Sequence, residues 1–534
     1  MKLHKLKWAA AATSVLLLFA ACADGGNRAG EGGNDGGGGG EKQEITEGII
    51  NRNEDPGDPA SGGTVTFASY TEPRLLDPAM TQATGSTGGT EMIAIYDTLL
   101  RYDWEKQELA PQLAEGFEVN DDSTEFTLTL REGVTFSDGE KLDAAAVKAS
   151  MERYAKSQRA PDGRLWNANV ASVEAPDERT VVIKLREPYA TFGNLLASGP
   201  GMIVSPKAGD GENFRPIGAG PFIVETLKPR EATEMKANPD YWDGKPNLDK
   251  LRFAYLGTPQ AGVDALLSGD VDAALLREPN RVDAALKDKR EAYINYVSAS
   301  NVLMFSTVEG RPGQDPRVRK AIALAVDEKV AYQRAFEGEY LSSKVLFTED
   351  SRWHSDASVG HETDAEKAKE LLEQAKADGF DGKIRFLGTT EPIAMVVKAQ
   401  LESIGFTVDV TIQRNVTDVI TLVMTGDYDI AAWAINIREF DPYPKLASTL
   451  HSEGSSVYGM YTDEEGDKLI DELKGADPDR AKEVMAEIEK RYYEQVPFLS
   501  LGPYTEATAW NSNVHGVEGT ANSMVSFAKA WVKN

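Results

Sequence analysis

A single cysteine, Cys22, occurs in 534 residues, and none follows it. Whatever the rest of the chain folds into, no disulfide can hold it, so stability has to come from apolar cores of ordinary size. Roughly 470 residues remain after the segment around that cysteine, too many for one core and enough for two or three domains. The formal net charge of −28 argues against a nucleic-acid partner, which needs a basic footprint. It also argues against docking of the body on anionic lipid. The acidity reads as a solubility device rather than a steering field.

The surroundings of Cys22 have the layout of a secretory signal over residues 1–21: Lys2, Lys5 and Lys7, then an apolar run from Trp8 to Ala21 ending in small residues. That run has 14 residues, whereas a spanning helix needs roughly 20. The sequence Leu18-Phe19-Ala20-Ala21-Cys22 resembles a bacterial lipobox. The resemblance implies cleavage before Cys22, acylation of its thiol and attachment to the outer face of the cell membrane. Residues 23–60 contain 12 glycines and no aromatic residue. Such a stretch cannot bury enough apolar surface to offset its ordering entropy, so residues 22–60 are expected to be an anchor and a flexible linker. No later stretch approaches 18 uninterrupted apolar residues. The expected product is exported, with a water-soluble, monomeric body held to the membrane only through its lipid.

Hydrophobic periodicity in the body is mixed α/β. Thr64–Tyr70 alternates as a strand, and Met92, Ile95, Tyr96 and Leu99 share a helical stripe. Phe117 and Val119, then Phe126, Leu128 and Leu130, flank Asn120-Asp121-Asp122-Ser123 as a β-hairpin. Asp143 caps a helix through Tyr154, and a strand pair follows near 170–174 and 180–185. Two βαβ units stand out. In the first, Leu251–Leu256 leads to Thr258 as N-cap, Pro259 as first helical residue, Gly269 as stop and Val271–Leu276 as returning strand. In the second, Lys383–Leu387, a helix over 391–403, Gly405 and Phe406–Ile412 repeat the pattern. Units of this kind favour parallel pairing under covering helices. Their separation suggests two α/β lobes rather than one giant sheet. Helices near 316–325, 328–336, 364–377, 463–474 and 478–495 complete the second lobe.

Catalytic patterns are scarce. Five histidines, His4, His354, His361, His451 and His515, show no metal-ligand spacing, and no nucleophile elbow or phosphate loop occurs. Gly218-Ala219-Gly220-Pro221 is spoiled as a phosphate loop by its proline, which removes an N–H. Asp356, His361 and Glu362 could ligate a metal, with a solvated loop as the plainer reading. Neither an enzyme nor a cofactor is expected.

Order, rather than chemistry, identifies the chain. The segments "GGTVTFASYTEPRLLDPAM", "YDTLLRYD", "LAPQLAEGFEVNDDSTEFTLTLREGVTFSDGEKLDAAAVKASMER", "GAGPFIVETLKP", "NPDYWDGKPNLDKLRF", "LLSGDVDAAL", "DPRVRKAIALAVDEKVAY", "QLESIGFTVDV", "GDYDIAAWAI" and "EQVPFLSLGP" follow one another. In this order they closely resemble the family 5 extracellular solute-binding proteins, the dipeptide/oligopeptide-type binding proteins of ABC importers. The resemblance covers residues 61–520. It implies a periplasmic-binding-protein-like clamshell of type II, with two α/β lobes and an extra β-rich domain inserted in the first. By this reading residues 61–100, 215–300 and 501–534 build lobe 1, 101–214 the extra domain and 301–500 lobe 2. Crossovers fall near Asn301–Thr307 and Phe498–Tyr504. A ligand would lie between the lobes and be buried by hinge closure, then passed to permease subunits.

The resemblance also implies where that ligand sits. Peptide-binding members anchor the peptide ammonium on an aspartate three residues after a tryptophan. Here the tryptophan is Trp433 and the aspartate position holds Asn436, a neutral side chain. Arg438 adds a positive charge nearby, and Glu439 or Asp441 could substitute from a shifted loop. Strand alternation puts Trp433 and Ile435 on one face and Asn436 and Arg438 on the other, with a turn expected at Asp441-Pro442. A surface salt bridge is the alternative role for Arg438. On the opposite lobe the site candidates are Tyr70, Gln82 and Thr84, with Trp166 of the extra domain either facing the cleft or packed in a core. Peptide is the leading ligand class. Sugars, opine-like compounds and metal chelates are the alternatives that Asn436 opens, and a surface sensor built on the same clamshell is the alternative to transport.

Overall fold

The computed structural model describes residues 47–53, 56–287, 289–336, 341–413 and 415–533. Cys22 and the leader lie outside the described residues. Two strands of unusual length organise everything else. Glu291–Phe305 and Phe498–Trp510 run antiparallel, from Glu291 opposite Trp510 to Met304 opposite Phe498. Both are almost wholly buried.

On one side of this pair the sheet continues through Ala273–Leu276, Thr64–Ala68, Lys250–Ala254, Ala232–Ala237 and Phe222–Lys228. On the other side it continues through Ile430–Trp433, Lys383–Gly388 and Thr407–Ile412. The lobes are therefore two halves of one twelve-stranded sheet, not two separate sheets. A strand of 15 residues rises about 50 Å, long enough to serve both halves. The covering helices still give each lobe its own apolar interior. Phe67, Phe253 and Trp510 lie in one; Phe305, Phe386 and Leu401 lie in the other.

Continuity is broken at the crossing. Pairing of the two long strands is irregular between Val297 and Asn301. Ala299 there has φ of 50° and Gly502 has φ of 149°. A Cβ on Gly502 would stand 2.3 Å from the Leu341 carbonyl oxygen, so only glycine fits this bend. The crossovers are expected near Asn301–Thr307 and Phe498–Tyr504; the bends are at Ala299 and Gly502.

Local signals explain most elements. The first βαβ helix, Pro259–Ser268, starts with the Thr258 hydroxyl accepting from the Ala261 N–H and ends at Gly269 with φ of 82°. Its flanking strands do not pair with each other, because Thr64–Ala68 lies between them, parallel to both. In the second unit Lys383–Gly388 pairs directly and in parallel with Thr407–Ile412. The extra β-rich domain is a four-stranded antiparallel sheet, Ala114–Val119, Glu125–Leu130, Thr180–Leu185 and Val170–Glu174. It is packed by the helix Ala144–Lys156, which Asp143 caps.

The linker expected through residue 60 ends earlier. Gly48–Ile50 pairs antiparallel with Ala292–Ile294 of the first long strand, and Glu47 accepts from the Tyr296 N–H at 3.4 Å. Composition averaged over a glycine-rich run hid the Ile49-Ile50 pair that makes this strand. Among the described residues no helix is long and apolar enough to cross a membrane.

Candidate functional site

The site begins where the strand Ile430–Trp433 ends beside the bend in Glu291–Phe305. Trp433 stands opposite Val302. Just beyond it, the N–H groups of Ile435 and Asn436 both donate to the Ala299 carbonyl, at 3.0 and 3.2 Å. Asn436 takes φ of 64°, a left-handed conformation that asparagine tolerates better than most residues. Strand pairing then resumes at Ile437–Arg438 against Val297–Ser298. The chain thus turns already at Asn436, ahead of the turn at Glu439-Phe440 that leads through Asp441-Pro442 into the helix Tyr443–Thr449, and simple alternation across Asn436 fails.

This turn brings Asn436 and Arg438 against lobe 1. Asn436 Oδ1 accepts from Arg277 Nη2 at 3.3 Å. Arg438 Nη1 donates to Glu506 at 2.7 Å and to the Ser523 hydroxyl at 2.8 Å. Glu506 is 0% exposed on the second long strand, and Arg277 Nε lies 3.1 Å from its other oxygen. Burial pushes the Glu506 carboxyl up, but Arg438 and Arg277 outweigh it and hold the group below the usual carboxylate range. Arg438 is therefore half of a buried ion pair between lobes, not a surface salt bridge. Arg277 also lies 5.0 Å over the Tyr504 ring. Next to it Glu278 accepts from the Tyr70 hydroxyl at 2.9 Å and pairs with Arg281 at 2.6 Å.

Tyr70, Asn436 and Arg438 are thus brought together across the two lobes. Trp433 remains half-buried beside them, edge-on to Tyr458 at 6.4 Å. The other candidates are not part of this cluster. Trp166 is 2% exposed, packed between Tyr154 and Phe192 in the core of the extra domain. Thr84 is buried and bonds to Ser86 and Thr87 in its own turn. Gln82 is exposed, and its carbonyl is taken by Thr87. Asp441 is buried and accepts from Thr191 of the extra domain at 3.2 Å. Burial raises its carboxyl to about 7. Glu439 is also buried, bonded to Ser298 and Ser351. His361 stacks on Tyr493 at 4.3 Å and is pushed down to about 4 by burial. It belongs to no metal-ligating group among the described residues.

Sequence reading missed Arg277, Glu278, Tyr504 and Glu506. A usable signal existed for the first two. They directly follow Ala273–Leu276, at the carboxyl end of a strand parallel to its neighbour, where open α/β sheets place their ligands.

Residues 108–457 match the family model described as bacterial extracellular solute-binding proteins, family 5. A glutathione-binding protein, GsiB, of Salmonella paratyphi A is 26% identical over 443 residues, covering 79% of this chain and 86% of that protein. The structure of AgaA from A. tumefaciens R10 in complex with agropinic acid matches with a TM-score of 0.73 at 27% identity, over 88% of this chain and 99% of that one. The oligopeptide-binding protein AppA of Bacillus subtilis, in complex with a nonapeptide, shares the fold with a TM-score of 0.73 at 21% identity, over 89% and 100%. With most of its length matched by that model and its two-lobed fold shared with these structures, the chain belongs to the family 5 extracellular solute-binding proteins, the binding components of ABC importers.

Proposed function

We propose that this protein is the lipid-anchored capture subunit of an importer, closing its two lobes over a peptide or peptide-like solute and presenting it to a permease as a monomer. The observation that carries this reading is the cluster of Tyr70, Arg277, Asn436, Arg438 and Glu506. Its members come from both lobes and meet beside the bends in the two connecting strands. A solute touching both sides stabilises the closed form by its differential affinity for it. The glutathione-binding and peptide-bound relatives favour a peptide-like ligand. A non-peptide solute is the second reading, favoured by Asn436, whose oxygen already accepts from Arg277 and so offers no anion to a peptide ammonium. The agropinic acid complex of a relative fits that alternative.

A thermal-shift screen against peptides, sugars and metal chelates tests the reading, since a true ligand at 100 times its Kd adds about 2.7 kcal/mol. A shift with peptides supports the first reading. A shift with sugars or chelates alone supports the second. The anchor is tested separately by mass spectrometry of the mature amino terminus, where an unmodified Cys22 would remove it.

A further inference from the structure

Glu47–Ile50, next to the glycine-rich stretch, is built into the hinge. The first long strand, Glu291–Phe305, gives one edge to Phe498–Trp510. Its other edge carries three short strands end to end. Gly48–Ile50 lies opposite Ala292–Ile294, Ile437–Arg438 opposite Val297–Ser298, and Ile430–Trp433 opposite Val302–Phe305. The first comes from the segment that leads back to Cys22, the other two from lobe 2. Two isoleucines hold the first in place, their side chains on opposite faces of the strand. Ile50 is buried with Leu266 and Ile294, whereas Ile49 packs against the core of Phe67 and Trp510. Asn51 then turns the chain with φ of 54°, its Nδ2 donating to the Arg290 carbonyl at 2.9 Å.

A side chain fills the gap between this segment and the lobe 2 strand beside it. Asn295 and Tyr296 lie between the two pairings. The Asn295 Nδ2 and the Tyr296 N–H both donate to Glu47 Oε1, at 3.5 and 3.4 Å. Two residues on, the Ser298 hydroxyl donates to Glu439 Oε1 at 2.7 Å. Glu439 is in turn tied to lobe 2, accepting from the Ser351 hydroxyl at 2.6 Å and, at its carbonyl, from Trp353 Nε1 at 2.7 Å. Carboxyls from the amino-terminal segment and from lobe 2 thus hang on one stretch of the hinge strand, immediately before its bend at Ala299. Burial and then Glu439 raise the Glu47 carboxyl to about 8, opposed by the Tyr296 N–H, Arg352 and Asn295. A protonated Glu47 still accepts through its carbonyl oxygen and sets no second charge beside Glu439.

We propose that Glu47–Ile50 is a brace on the hinge: docked, it holds the bend and the neighbouring lobe 2 segment Ile437–Phe440 in place, and released, it loosens both. Residues 23–46 connect it to Cys22, so the anchor proposed above would join the body at its hinge.

Hydrogen–deuterium exchange of the mature protein without added solute, read by mass spectrometry, compares wild type with Glu47→Ala, Glu47→Gln and the double variant Ile49→Ser, Ile50→Ser. Peptides across Val297–Asn301 and Ile437–Phe440 should exchange about fivefold faster or more in Glu47→Ala and in the isoleucine variant. Glu47→Gln, which keeps an uncharged acceptor for the Tyr296 N–H, should restore the wild-type rate. Faster exchange confined to residues 47–50 and 291–296 would make the segment a plain edge strand and overturn the inference, as would unchanged exchange throughout. A uniform rise that includes Glu125–Leu130 of the extra domain reports lost global stability and overturns it as well. Should the isoleucine variant fail to fold, Glu47→Ala decides.

Discussion

At the scale of single residues, the cleft is defined by what its polar groups already hold. Glu506 is buried in the second long strand, and the two arginines facing it make its charge tolerable. Glu506→Gln leaves both guanidinium groups without an anion and should cost about 3 kcal/mol or more. Chemical denaturation of the unliganded protein measures this, and a change below 0.5 kcal/mol, roughly that of a surface substitution, would mean the pair contributes little. Trp433 and Asn436 are placed differently, half-buried at the end of a strand rather than inside a core. Trp433→Ala and Asn436→Ala should therefore weaken ligand binding by about tenfold with little loss of fold. Calorimetry with unchanged Kd in both variants would remove them from the site.

At the scale of elements, the segment from Trp433 to Thr449 carries most of the interlobe chemistry. Asp441 within it accepts from Thr191 and Asn194, with the Tyr443 N–H and the Arg352 charge also acting on it. Its carboxyl is raised to about 7 where the lobes meet, and a carboxyl freed by opening would titrate near 4. The closed arrangement therefore binds the proton more tightly. Closing carries no penalty from this group below pH 4, and the penalty grows through pH 4 to 7 and is complete above. Ligand affinity should fall as pH rises across that window, and Asp441→Asn should flatten the fall. An unchanged pH profile in the variant would assign the dependence to other groups.

The same segment shows what was legible from sequence and what was not. The tryptophan, the neutral Asn436 and the positive Arg438 were evident. Their geometry was not, because a single left-handed residue resets strand alternation and leaves no periodic trace. Helix starts at Asp143 and Thr258 were legible because capping chemistry is local. The insertion of Thr64–Ala68 between the strands of the first βαβ unit was not, because strand order is set by packing over long sequence separations. Trp166 illustrates the same limit: an aromatic residue gives no sign of whether it faces a cleft or fills a core.

At the scale of the whole molecule, two lobes share one sheet whose long strands bend where the lobes meet. The contacts between the lobes are both polar and aromatic. They include Arg438 with Glu506, Asn436 with Arg277, Asp441 with Thr191, Arg352 with Tyr102 and Lys474 with Glu187, and the ring contacts of Tyr443 with Tyr189 and Phe440 with Tyr102. Such contacts can break and reform without unfolding either core, which suits a clamshell. Small-angle X-ray scattering of the mature protein, with and without a saturating solute identified by thermal shift, tests this account most directly. The account predicts a smaller radius of gyration on binding, reversed when the solute is removed; an unchanged radius with the solute demonstrably bound would contradict capture by lobe closure.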